Sequence, residues 1–205
     1  MRHRLLFVLP LLLLAPSAHA RQVTPIQPLA LAAGQPVRIT GMDVVFAPGM
    51  VEELAESDAK AANKRMAAGL PPLDPASYPT GPQDGAVYAT LPFKQMFPLV
   101  IRDVTRDWKL DNGTPVTLRI TLDRLKTADA AMAILVAWSS DMLEGTVDVL
   151  DATNGASLGS FRVEVKNTHG GWGGMLIRGG GIREKLAEEF GLELSRHIAG
   201  HKKKG

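Results

Sequence analysis

GTVDVLDATNGASLGSFRVEVK, residues 145–166, decides the fold. In its first half Val147 and Val149 alternate with Thr146, Asp148 and Leu150. In its second half Phe161, Val163 and Val165 alternate with Arg162, Glu164 and Lys166. A period of two sends successive side chains to opposite faces of a strand, so each arm offers one apolar face, and the second arm places its charges in water. Asp151-Ala152-Thr153-Asn154-Gly155 joins the arms, and the Asn-Gly pair accepts the positive φ that a tight reversal needs. The stretch is a β-hairpin with one face in the core, and no group on it is placed for chemistry.

The neighbouring segments extend this sheet. Val116, Leu118, Ile120 and Leu122 alternate with Thr117, Arg119, Thr121 and Asp123, a strand with a wet polar face. Val37 to Phe46 reads as another strand, with room for a bulge at Gly41 and a stop at Pro48-Gly49. Helix formers fill Met50 to Ala68, with Val51, Leu54, Ala55, Ala62 and Met66 as the apolar stripe expected to lie on the parent domain. Five prolines in 69–84 exclude regular structure there. Phe93, Met96, Phe97, Val100, Ile101, Val104 and Trp108 recur at helical spacing from a start near Pro92, with a kink or break expected at Pro98. The apolar run Asp129 to Trp138 reads as helix. Ile182, Leu186, Phe190, Leu194 and Ile198 stripe a last helix that Gly200 ends. The expected fold class is α+β: a mixed or antiparallel sheet of about four strands around the hairpin, packed by two or three helices on one face.

Arg2 and Arg4 precede the apolar run Leu5 to Ala15, and Ala18-His19-Ala20 supplies small residues, so residues 1–20 read as a signal peptide cleaved after Ala20. Residues 21–35 then read as an extended leader, 36–200 as one α+β domain and 201–205 as a basic tail. No later segment approaches the roughly 20 apolar residues of a membrane helix, so the cleaved chain is not expected to span a membrane. Cleavage removes two arginines and no acid, which leaves 21 basic and 21 acidic residues. A neutral chain lacks the concentrated basic face that nucleic-acid backbones require, so no nucleic-acid partner is expected. With no cysteine, disulfide and thiolate chemistry are excluded.

Three motifs suggest chemistry. Gly155-Ala156-Ser157-Leu158-Gly159 has the G-x-S-x-G spacing of serine hydrolases, but a strand follows it where the nucleophile turn requires a helix. His197 and His201 are four apart, but the residue beside the first is Ile198 where a zinc hydrolase places glutamate. The glycines of 170–181 open a helix without the Lys-Ser/Thr of a phosphate loop, and leave only Arg178 and Arg183 as anion or partner contacts. No catalytic, metal or cofactor residue and no cofactor is assigned.

The element order, with Val-Asp-Val-Leu-Asp-Ala-Thr-Asn-Gly at 147–155 and an amphipathic helix after a glycine-rich loop, resembles uncharacterised exported domains of the bacterial envelope. It also resembles the α/β domain of outer-membrane activators of penicillin-binding proteins and of the curli secretion channel. Those proteins are usually lipoproteins, and this chain has no cysteine to carry a lipid. The expected function is an exported, periplasmic or secreted, non-catalytic binding or envelope-assembly domain, with an envelope protein as partner and the oligomeric state open. The alternative is a periplasmic small-ligand carrier or enzyme whose site assembles only in three dimensions. A pocket lined by several of Asp103, Asp107, Arg119, Asp123, Asp148, His169 and Arg178 favours the alternative; their dispersal favours binding by a face.

Overall fold

A computed structural model describes residues 19–31, 35–74, 79, 85–105, 113–127, 140–168 and 181–199. Among these residues lie five strands: β1 (His19–Gln27), β2 (Val37–Phe46), β3 (Thr114–Lys126), β4 (Ser140–Asp151) and β5 (Ser157–Thr168). The helices are α1 (Val51–Ala67), α2 (Gly85–Tyr88), α3 (Phe93–Val104) and α4 (Ile182–Leu194). The strands form one mixed sheet in the order β1-β5-β4-β3-β2. Every pairing is antiparallel except β2 with β3, whose parallel alignment needs the long crossover that carries α1 to α3.

The β4–β5 hairpin sits at the centre of the sheet. Val147 pairs with Phe161, Gly145 with Val163 and Leu143 with Val165, so the apolar residues of both arms share one face. In the turn, Asn154 Oδ1 accepts from the Ala156 N–H at 2.8 Å, Asp151 Oδ1 accepts from the Thr153 N–H at 2.7 Å, and Gly155 takes φ +74°. Val116, Leu118, Ile120 and Leu122 of β3 continue the apolar face, and all are fully buried. α1, α3 and α4 cover it.

α4 and the π-helical turn that continues it (Ser195–Ala199) carry the expected stripe, with Ile182, Leu186, Phe190, Leu194 and Ile198 all buried. The Phe190 ring meets Phe97 of α3 edge-on at 5.5 Å between centroids. The two helices approach closely because Gly191 has no side chain: a Cβ there would stand 3.2 Å from Val104. α3 starts at Phe93, whose N–H donates to Asp58 Oδ1 of α1 at 2.8 Å, so one helix satisfies an orphan donor of another.

Four expectations need correction or adjustment. The sheet has five strands and not about four, and the additional one comes from the supposed leader: residues 19–27 form β1, paired with β5 from His19–Asn167 to Gln27–Ser160. β1 shows no hydrophobic period because it is an edge strand with most residues exposed, and Pro25 is tolerated because edges need fewer donors. β2 lies at the opposite edge of the sheet, and the described residues between the two strands are tied by Ala30 N–H to Leu158 O at 2.7 Å and Thr114 N–H to Pro36 O at 2.9 Å.

The helix at Pro98 does not break there; α3 runs through it and ends at Val104. A proline inside a helix costs about 3 kcal/mol. Phe93, Met96, Phe97, Val100 and Ile101 are buried around it, at roughly 1.5–3 kcal/mol each, and their sum wins. On α1 the expected stripe is out of phase: Leu54 is buried, but the other buried positions are Ser57 and Ala61, while Val51 is 67% and Met66 70% exposed. The predicted helix at 129–138, the glycine-rich residues 170–180 and the basic tail lie outside the described residues.

Candidate functional site

Two surfaces offer themselves. One is the open face of the sheet, where the polar positions of β2 to β5 stand side by side. Arg162 donates to Asp123 at 2.5 Å and to Glu144 at 2.6 Å, while Arg124 lies 3.6 Å from Glu144 and Arg119 lies 3.7 Å from Asp43. The Arg162 pKa is raised, chiefly by its hydrogen bond to Glu144 and further by Asp123, against the desolvation that opposes it. Arg162 of β5 reaches Glu144 on the neighbouring β4 and Asp123 on β3 beyond it, so these six ions pair with one another across the strands.

The second surface is the outer face of α1. Rotation of the helix buries the polar Ser57 and turns Val51, Ala55, Ala59, Ala62 and Met66 outward. Beside this face the chain folds back past Gly69 (φ +68°), and an apolar groove of about 330 Å³ opens between α1, Leu70-Pro72-Leu73 and Thr90-Pro92. Met66 and the 44% exposed Leu70 stand at the groove. Asp58 and Arg65 are its charged lining residues, and both are engaged within the fold, Asp58 with the Phe93 N–H and Arg65 Nε with the Pro71 carbonyl.

Of the residues that would mark a three-dimensional active site, Arg119, Asp123 and Asp148 lie on the open sheet face, and Asp103 lies on α3 beyond the opposite face. None of them lines the groove. Asp107, His169 and Arg178 fall outside the described residues. Arg183 is interior: its guanidinium donates to the Ser57 carbonyl and hydroxyl at 3.1 and 2.9 Å, to Ala89 O at 3.3 Å and to Leu91 O at 3.1 Å, and it pairs with Glu184. These donors clamp α4 to α1 and to the turn before α3, where the sequence reading had given Arg183 an anion or partner.

Ser157 opens strand β5, and its hydroxyl donates to Gln27 Oε1 and accepts from the Gly159 N–H, both at 3.3 Å. The strand-turn-helix elbow of a serine hydrolase is not formed. His197 lies against Phe161, with ring centroids 4.3 Å apart, and burial lowers its pKa. Ala20, the expected cleavage position, is in β1 opposite Lys166. The next residue, Arg21, reaches the helix side of the sheet and pairs with the buried Glu189 and, at 3.8 Å, with Glu193. Sequence reasoning missed this ionic latch, since nothing in the spacing of α4 marks its carboxylates as interior.

No protein-family model matches the chain, and no curated protein matches it. Among solved structures it is similar to the PelC dodecamer from Paraburkholderia phytofirmans, at 15% identity and TM-score 0.34 over 90% of this chain and 100% of that one. It is also similar to the lipoprotein GNA1162 from Neisseria meningitidis, at 15% identity and TM-score 0.26 over 71% and 94%. Likeness of this order assigns no function. Among the described residues no helix is long and apolar enough to cross a membrane, and no group of three metal-ligating side chains converges.

Proposed function

We propose that the chain is an exported domain of the bacterial envelope, periplasmic or secreted, that acts by binding and not by catalysis, through the outer face of α1 and the groove beside it. The observation that carries this reading is the division of labour between the two surfaces. On the open sheet face Arg119, Arg124 and Arg162 pair with Asp43, Asp123 and Glu144, while Val51 and Met66 of α1 and Leu70 just beyond its end stay exposed. A helix whose apolar side chains face outward loses hydrophobic stabilisation unless something covers them. The described ionisable residues that an enzyme would have to gather are divided between opposite sides of the sheet.

The test is site-specific photocrosslinking in the intact envelope. A crosslinking side chain at Met66 should give a discrete adduct, and one at Asp148 should give none. Adducts at Asp148 alone would sink the α1 reading. A chain that keeps Met1 and is retained in the cytoplasm would sink the export reading.

A further inference from the structure

We infer that the partner covering α1 is a second copy of the same chain, paired antiparallel about a two-fold axis that passes beside Ala59. The inference rests on the α1 binding surface proposed above and names its occupant. In an isologous pair each residue meets a different residue of an identical surface, so the surface must be complementary to itself when reversed. The outer face of α1 meets that condition twice.

The first match is in shape. Outward residues recur at 51, 55, 59, 62 and 66, a single face of the helix. Reversal about Ala59 sets Val51 of one copy against the partner's Met66, and Ala55 against the partner's Ala62. Large side chains meet at the two ends, and alanines at the centre let the backbones come together. Val51, 67% exposed, then points to the mouth of the groove formed by the partner's Met66 and Leu70.

The second match is in charge. Glu52, Glu53 and Glu56 occupy the N-terminal half of α1, and Lys60, Lys64 and Arg65 the C-terminal half. An antiparallel pair lays acidic half on basic half at both ends, whereas a parallel pair would oppose like charges. The helix dipole also favours this placement in a lone chain, but it acts only in the first and last turn. Glu56 and Lys60 lie inside those turns and extend the division to the middle of the helix; they pair with each other at 2.6 Å and stay exposed enough to meet a second partner. At 17 residues α1 is about 25 Å long, so the contact is at the small end of specific interfaces, and an affinity on the order of micromolar or weaker follows.

Sedimentation velocity on the chain beginning at Arg21 should show a monomer–dimer equilibrium between about 1 and 500 μM. Ala59→Glu, an exposed substitution at the axis, should weaken it at least about tenfold with an unchanged circular dichroism spectrum. Because the chain has no cysteine, crosslinking reads the orientation directly. Ala59→Cys should form a disulfide with itself on mild oxidation. Val51→Cys and Met66→Cys should each stay reduced alone, since their like positions lie roughly 22 Å apart, and should join when mixed. A chain monomeric at every concentration, or self-crosslinking of Val51→Cys, overturns the antiparallel dimer. A Met66 photoadduct to a different protein, with no self-association, would overturn the dimer and leave the binding reading standing.

Discussion

Arg183 joins three segments distant in sequence, α4, α1 and the turn before α3, through one planar guanidinium. Arg183→Met would leave the carbonyls of Ser57, Ala89 and Leu91 buried without that donor, at about 1–3 kcal/mol for each polar group left unmet. A loss of about 3 kcal/mol in urea denaturation is expected, and Arg183→Lys should recover less than half, because an ammonium cannot reproduce the fork. His197 gives the chain an acid sensitivity whose direction is fixed. Burial against Phe161 favours the neutral ring, so its pKa in the fold lies below that of the unfolded chain. As pH falls below about 6.5 the unfolded chain takes up the proton first. Stability therefore drops from that point, levels off beneath the folded pKa, and loses this component in His197→Gln; a urea midpoint that stays flat from pH 8 to 5 in the parent would contradict it. Ser157→Ala, at an exposed strand start, should shift stability by less than about 0.5 kcal/mol and leave no hydrolytic activity to lose.

The packing of α4 on α3 is the element on which the core most depends. Phe190 is fully buried against Phe97, and Phe190→Ala should cost about 3–5 kcal/mol, of the same order as the stability of a whole domain at roughly 5–15 kcal/mol. Urea denaturation of the variant equal to the parent would show α4 to be exposed. At this scale the sequence was most readable where one strong period dominated. The hairpin, β2 with its bulge near Gly41, β3 and the stripe of α4 follow from alternation or from 3.6-residue spacing. β1 could not be read, because an edge strand with Pro25 and few buried residues leaves no periodic trace. The phase of α1 could not be read either: an alanine-rich helix offers several nearly equal apolar faces, and the buried one was chosen by Asp58 capping α3 and Ser57 receiving Arg183. Those partners lie 35 and 126 positions away, beyond the reach of local spacing. The same error of phase concealed the candidate site, since Val51, Ala55, Ala62 and Met66 of the expected core stripe face outward and Leu54 alone of that stripe is buried.

Among the described residues, helices cover one face of the five-stranded sheet, cross-strand ion pairs lie on the other, and the outer face of α1 is left exposed. Export predicts that the mature chain begins at Arg21, which N-terminal sequencing reads; the sheet edge would then start at the residue that latches onto Glu189. The claim that joins these features is that the outer face of α1 is covered when the protein works. Oxidative footprinting of Met66 tests it most directly, with fully buried Met50 and the 44% exposed Val45 of β2 as internal references. In intact envelopes Met66 should be protected several-fold relative to the dilute purified chain, while Val45 labels equally in both. Equal labelling of Met66 in the two states would contradict the account.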